Sequence, residues 1–229
     1  DGYLDVDAVV AAALSAGAEA VHPGYGFLSE RAAFAAAVAD AGLVLVGPSA
    51  DVMEQMGRKD AAREIAIAAG VPVVPHYETE GAADARFPVL VKAAAGGGGK
   101  GMRVVHAASE MDEAMAAARR EASSAFGDDT MLVEKYVEHG RHVEVQILAD
   151  HHGHVLHLFE RDCSTQRRHQ KVIEEAPAPT IDDATRSRIT QASVDLAAHV
   201  GYTNAGTVEF LLDAETGEAC FLEMNTRLQ

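Results

Sequence analysis

Apolar positions at the N-terminal end of the chain recur at helical spacing and are separated by short unbroken apolar runs. Val6, Val9, Val10 and Leu14 share one face of an Ala-rich helix over residues 5–16, which Asp5 or Asp7 can cap and Gly17 stops. Ala20-Val21 is a short strand running into the loop His22-Pro23-Gly24-Tyr25-Gly26-Phe27-Leu28-Ser29-Glu30, which feeds a second Ala-rich helix ending at Gly42. Leu43-Val44-Leu45-Val46 reads as a buried strand closed by Gly47-Pro48. Strand, helix, strand in this rhythm predicts the tail of a parallel-sheet unit. Two helical stretches follow at residues 50–56 and 59–69, with Ser49 as a cap and Gly70 as a stop, and they predict a helical linker.

Beyond Val71 the period shifts toward alternation. Residues 87–92 and 102–106 predict strands on either side of a glycine run. A helix capped by Ser109 fills residues 110–125, and residues 130–137 form another strand. Residues 142–150 and 154–159 predict a hairpin about His151-His152-Gly153. A helix over residues 182–200 leads to two last strands, 205–213 and 219–225, joined at Glu215-Thr216-Gly217. The class is mixed α/β with largely antiparallel sheets in the second half. There is no internal repeat.

A chain of 229 residues has room for one large domain or two small ones. With 48% hydrophobic and 24% charged residues it is ordinary globular composition, which excludes disorder. No apolar run approaches the roughly 18 residues of a membrane helix, and no signal peptide is visible, so no membrane association is expected. The only cysteines, Cys163 and Cys220, are far apart and fit no metal-binding spacing, which predicts a reducing, cytoplasmic setting. A net charge of −16, with aromatics at 5% and no Trp, argues against nucleic acid as a partner.

The run Gly96-Gly97-Gly98-Gly99-Lys100-Gly101 sits between two predicted strands. Bare backbone amides in such a run can curl around an anion. A strand follows it and not a helix, so it is no dinucleotide fingerprint, and Gly101 stands where a P-loop needs Ser or Thr. Two readings remain, a glycine flap over phosphates or a floppy surface hairpin. Lys92, on the preceding strand, could add a cation to the same phosphates. A protein kinase is disfavoured, because no HRD or DFG segment appears and Lys92 precedes the flap.

Period two places Glu209 on the strand face opposite Val208, Phe210 and Leu212, and it places Glu223 and Asn225 together on the next strand. An antiparallel turn between the strands sets Glu209 beside Glu223, where two carboxylates repel unless a proton or cation lies between them. Carboxylates with an amide alongside suit Mg²⁺ or Mn²⁺; a solvated sheet face is the alternative. A phosphate flap upstream favours the metal. The stretch Arg161-Asp162-Cys163-Ser164-Thr165-Gln166-Arg167-Arg168-His169-Gln170-Lys171 concentrates positive charge that could focus small anions into a site. His151, His152, His154 and His157 straddle a turn and read as exposed rather than as zinc ligands.

Taken together, HPGYGFLSE (residues 22–30), FPVLVKAAAGGGGKGMRVV (87–105), EKYVEHGRHVEVQ (134–146), ERDCSTQRRHQKVIEEAPAP (160–179) and GTVEF…FLEMNTRLQ (206–229) closely resemble the biotin carboxylase component of biotin-dependent carboxylases, a branch of the ATP-grasp enzymes. The resemblance implies an ATP-grasp fold preceded by the tail of a parallel-sheet domain. Residues 1–47 would end that domain, 48–73 form a helical linker, 74–136 the lid and 137–229 the body of the grasp. It implies that Lys59, Lys92, the glycines Gly97, Gly98, Gly99 and Gly101, and His142 face the ATP phosphates, with Gln166 and His169 in the same cleft. Glu134, Lys135 and Val137 would hold adenine. Glu209, Glu223 and Asn225 would be the Mg²⁺ or Mn²⁺ ligands, Lys171, Arg227 and Gln229 would bind bicarbonate, and Tyr25 would lie near biotin.

The reaction implied is ATP-driven carboxylation of biotin on a carrier protein, with bicarbonate phosphorylated to carboxyphosphate. Implied partners are a biotin carboxyl carrier, a carboxyltransferase and a second copy of the chain, in an enzyme such as an acetyl- or propionyl-CoA carboxylase. The family base and a later biotin-binding arginine fall beyond Gln229, so the chain is expected to be an internal piece that binds nucleotide without carboxylating biotin. Other readings are a non-catalytic MgATP-binding module or another ATP-grasp ligase such as a carbamoyl-phosphate synthase.

Overall fold

The structure, a computed structural model, describes residues 2–78, 85–95, 99–168 and 170–229. Gly97, Gly98 and His169, singled out above, lie outside the described residues. Near the N-terminus, Asp5 caps helix α1 (Val6–Ser15) by accepting the Ala8 N–H at 3.0 Å. Strands β1 (Ala20–Val21) and β2 (Val44–Leu45) pair in parallel across helix α2 (Ala32–Asp40), over a small core of Leu28, Phe34, Val38 and Leu43. Residues 43–46 are not the buried strand their composition predicts. The apolar cluster covers one face of this two-stranded sheet, so Leu43 and Leu45 pack inward while Val44 is 61% exposed and Val46 also faces out.

Helices α3 (Ala50–Gly57) and α4 (Lys59–Ala68) follow, the first capped by Ser49, whose hydroxyl accepts the Val52 N–H at 3.3 Å. Val52, Met56, Ala62 and Ala66 share one core with Val208, Phe210, Phe221 and Met224, so these helices pack against the C-terminal strands.

The first large sheet contains β3 (His76–Tyr77), β4 (Val89–Ala93), β5 (Arg103–Val105) and β6 (Met131–Lys135) in the order β3-β6-β4-β5, all antiparallel. Helix α5 (Met111–Phe126) covers it through Ala118 and Ala122, which lie against Val89, Val91, Val105 and Val133. Ser109 does not cap this helix. Residues Ala108–Glu110 form a separate 3-10 turn, tightened by the Glu110 carboxylate accepting the His106 N–H at 3.1 Å. Gly127 ends α5 at φ 73, the left-handed conformation in which glycine carries no Cβ penalty.

The second sheet runs β11-β10-β7-β8-β9, with β7 (Gly140–Ala149), β8 (Val155–Arg167), β9 (Gln170–Glu175), β10 (Asn204–Asp213) and β11 (Ala219–Asn225) antiparallel throughout. Val143, Val145, Ile147, Val208 and Phe210 meet Ile189 and Leu196 of helix α6 (Asp183–His199) in the main core. Each such side chain contributes about 1.5–3 kcal/mol on burial. Strand β8 runs well past the expected end at residue 159, so the basic stretch lies on the β8–β9 hairpin. His151, His152 and His154 are exposed as expected, whereas His157 is half-buried. Among the described residues no helix is long and apolar enough to cross a membrane.

Candidate functional site

A cleft of about 370 Å³ opens where the β3–β6 sheet faces the β7–β11 sheet. Lys92 and Glu134 enter it from adjacent strands β4 and β6, with Lys92 Nζ 2.7 Å from Glu134 Oε2 and only 7% and 5% of the two residues exposed. Lys59 lies at the start of α4, where its N–H bonds to Ala94 O at 3.0 Å; its Nζ lies 3.3 Å from Glu223 Oε2. Lys135 and Val137 line the segment joining the sheets, and Gly99 lines the cleft at the edge of the glycine run. Gly101 is set back from it at φ +70, where a Cβ would come within 3.3 Å of Ala93 Cβ.

The register pairs the two carboxylates, but strict alternation, which puts Leu222 and Met224 together opposite Glu223, fails at a bulge between Glu209 and Phe210: Phe221 packs in the core with Met224, and Leu222 lines the cleft with Glu223. Glu209 pairs directly with Glu223 in the β10–β11 register, and Thr207 with Asn225. Glu209 is almost fully buried. Its Oε2 lies 2.5 Å from His142 Nε2, and its Oε1 accepts from Lys171 Nζ at 2.6 Å and from Asn225 Nδ2 at 2.5 Å. Gln166 Nε2 donates to Cys163 O at 2.9 Å and lies 2.7 Å from His142 Nδ1. Gln166 and Glu209 thus hold the two nitrogens of the His142 ring from opposite sides. Burial opposes the charged form of Glu209, but its hydrogen-bonding and electrostatic interactions with His142 and then Lys171 outweigh it and hold the carboxyl at about 2. Burial likewise opposes charge on Lys171, and the charges of Glu209 and Glu144 overcome it and raise the ammonium above its ordinary value.

Glu144 is the residue that sequence reasoning missed. It is fully buried on β7 and paired with both Lys171 and Arg161. Its signal was available, since His142, Glu144 and Gln146 alternate with Val143, Val145 and Ile147. Its ligand atoms approach those of Cys163 and Glu174. Burial and the Glu144 charge push the Cys163 thiol up to about 12, so the cluster is a protonated thiol beside an occupied carboxylate.

Arg227 lies beyond the end of β11, its Nη1 donating to Asn225 Oδ1 at 2.6 Å and 3.0 Å from Glu30 Oε1. Lys171 thus bonds to Glu209 and Arg227 to Asn225, and neither cation lines the cleft itself. Gln229 is exposed. Tyr25 is 83% exposed on its loop, and the structure does not bring it into the cleft. Glu209, Glu223 and Asn225 carry oxygen donors of the kind Mg²⁺ or Mn²⁺ takes, and in this structure those oxygens are met by His142 and Lys171, by Lys59 and by Arg227 respectively.

Two antiparallel sheets that face each other across a cleft lined by lysines and carboxylates define an ATP-grasp fold. Comparison with known proteins narrows the class. Residues 58–229 match the family described as carbamoyl-phosphate synthase L chain, ATP binding domain, and residues 1–53 match the biotin carboxylase N-terminal domain. The chain is 53% identical over 238 residues to biotin carboxylase of Halalkalibacterium halodurans, covering 100% of this chain and 52% of that one. It is 54% identical over 236 residues to mitochondrial pyruvate carboxylase of Rattus norvegicus, covering 99% of this chain and 20% of that one. A biotin carboxylase–β,γ-ATP complex from Campylobacter jejuni superposes with a TM-score of 0.95 at 46% identity, covering 99% of this chain and 53% of that one. The chain therefore belongs to the biotin carboxylase branch of the ATP-grasp ligases, and it spans between a fifth and about half the length of these relatives.

Proposed function

We propose that this chain supplies the nucleotide, metal and anion sites of an enzyme that carboxylates biotin on a carrier at the expense of ATP, with bicarbonate as the carboxyl source. The observation that carries the reading is the network that runs from Lys171 through Glu209 and Asn225 to Arg227, joined at Glu209 to the cleft that Lys59 and Lys92 line. Lys59, Lys92, Gly99 and His142 would meet the phosphates, with Glu134, Lys135 and Val137 toward the base. Gly97, Gly98 and His169, which lie outside the described residues, would join them. Residues 1–47, 48–73, 74–136 and 137–229 would be the N-terminal domain, linker, lid and body.

Glu209, Glu223 and Asn225 would hold Mg²⁺ or Mn²⁺. When bound, the metal neutralises charge on the phosphates. Lys171, Arg227 and Gln229 would bind bicarbonate, the two cations orienting it toward the terminal phosphoryl group, and closure of the lid would keep water from a labile acyl phosphate. A reducing compartment such as the cytoplasm suits the free thiols of Cys163 and Cys220. Partners would be a biotin carrier, a carboxyltransferase and a second copy. The final acceptor would be an acyl-CoA, such as acetyl-CoA or propionyl-CoA, or a 2-oxo acid. The test is MgATP-dependent transfer of labelled bicarbonate to free biotin, in the longest natural reading frame that contains this sequence. Transfer that needs biotin and is lost in Lys171→Ala supports the reading, and ATP binding without transfer overturns it.

A further inference from the structure

We propose that Glu30, the last residue of the HPGYGFLSE loop, is a positioning residue that fixes Arg227 for its anion. The proposal rests on the functional reading above and extends it to the N-terminal end of the chain. One oxygen of Glu30 serves two groups of the segment after β11: it accepts the Thr226 N–H at 3.1 Å and lies 3.0 Å from Arg227 Nη1. Asn225 Oδ1 accepts from the same Nη1 at 2.6 Å, so two elements hold the guanidinium. The remaining N–H groups of its planar fork stay available to an incoming anion.

The Glu30 side chain is 40% exposed, and the backbone on either side of it is anchored. Leu28 lies in the N-terminal core and Ser29 is buried; Ser29 N–H bonds to Gly26 O at 3.0 Å and Arg31 N–H to Leu28 O at 3.1 Å. The loop turns through left-handed residues at Gly24, Gly26 and Phe27, the last at φ 50. Its aromatic Tyr25 faces solvent while Glu30 turns toward β11.

The positioning role and simple electrostatics predict opposite signs. Removing a negative charge beside an anion site would, by charge alone, tighten bicarbonate binding. Freeing a clamped arginine side chain has the reverse effect, because the anion must then order it, which corresponds to a roughly fivefold to tenfold weaker KM.

The experiment measures ATP cleavage against bicarbonate and against MgATP, in the longest natural reading frame, for the wild type, Glu30→Gln and Glu30→Asp, alone and combined with Arg227→Lys. We expect Glu30→Gln to raise the bicarbonate KM roughly fivefold to tenfold, to leave the MgATP KM unchanged, and to add nothing once Arg227 is replaced. Glu30→Asp keeps the charge and shortens the reach, and gives the same readings where the Gln variant lowers Tm. An unchanged or lower bicarbonate KM, equal loss for both substrates, or full additivity with Arg227→Lys would overturn the proposal. A wild type with no bicarbonate-dependent cleavage overturns the functional reading instead. The clamp is then judged on the 229-residue chain by the ¹H–¹⁵N NOE of Arg227 Nε. Ordered in wild type and mobile in Glu30→Gln supports it, and equal order in both refutes it.

Discussion

Replacing Glu209 with Gln removes one charge and almost no volume from a buried carboxylate that is bonded to His142, Lys171 and Asn225. It is buried, and it accepts from Lys171 at 2.6 Å and from Asn225 at 2.5 Å, opposite His142 at 2.5 Å. Its pKa is held at about 2 against an ordinary 4.5. At 1.36 kcal/mol per unit, that depression corresponds to about 3 kcal/mol of folding stability at neutral pH. The side chain is only 4% exposed, so solvent screening takes little from this figure. The sign follows from the depressed value: the stabilisation is fully present above the unfolded pKa of 4.5 and is lost as pH falls through about 2. Glutamine mimics the protonated acid, so the gap between wild type and variant should be widest at pH 7 and should close on acidification, with more than half of it gone by about pH 3. For a chain of this size about 3 kcal/mol corresponds to a fall in Tm of roughly 6–12 °C. Calorimetric melts of both proteins at pH 7, 4 and 3 read the gap. A variant within about 0.5 kcal/mol of wild type at pH 7, the ordinary range for a surface change, or a gap that does not shrink with acid, would refute the reasoning.

Lys171→Met should cost about 3–5 kcal/mol by urea unfolding at pH 7, because it leaves Glu144 and Glu209 buried without their shared cation. The raised Lys171 pKa stabilises the fold below 10.5, and this contribution is lost as pH rises through the higher folded value, so the gap should narrow only at strongly alkaline pH. Gly206→Ala should destabilise by about 1–3 kcal/mol, since a Cβ there would lie 2.9 Å from Tyr202 Cε1 in a ring whose hydroxyl is bonded to Ala205 O at 3.0 Å. A melt equal to wild type would refute that packing. Glu223→Gln should weaken Mn²⁺ retention in the presence of nucleotide by roughly tenfold or more, read by electron paramagnetic resonance, and unchanged retention would remove Glu223 from the proposed donor set.

What the chain's alternation made legible was the face each residue takes on a strand. Glu209, Glu223 and Asn225 could be paired from period two and a turn, and the β10–β11 register brings them together. What period alone does not carry is the partner across a sheet. Glu144 alternates as clearly as Glu209, but its importance comes from Lys171 and Arg161, which reach it from β9 and β8. Glu30 was visible only as the end of a motif, because its partner Arg227 lies at the far end of the chain. Local rules failed where a local competitor won. Ser109 has the right chemistry for a cap, but Glu110 closes a 3-10 turn first. Residues 43–46 have the composition of a buried strand, but one packed face leaves Val44 outside.

The distribution of cations is the feature that best joins fold to proposed chemistry. Each cation assigned to substrate is already met by a carboxylate: Lys59 by Glu223, Lys92 by Glu134, Lys171 by Glu144 and Glu209, and Arg227 by Glu30. A cation as buried as Lys92 would otherwise lose its hydration with nothing in return. In an acid-rich chain of net charge −16 such partners are abundant, and they hold each cation at a defined place before any anion arrives. An incoming phosphate or bicarbonate then exchanges one oxygen partner for another and does not have to desolvate and order a free side chain, which is electrostatic preorganisation in its simplest form. The same arrangement explains why Glu144 and Glu30 belong to the site although neither is proposed to touch substrate: the cations they hold are the ones proposed to bind the anion.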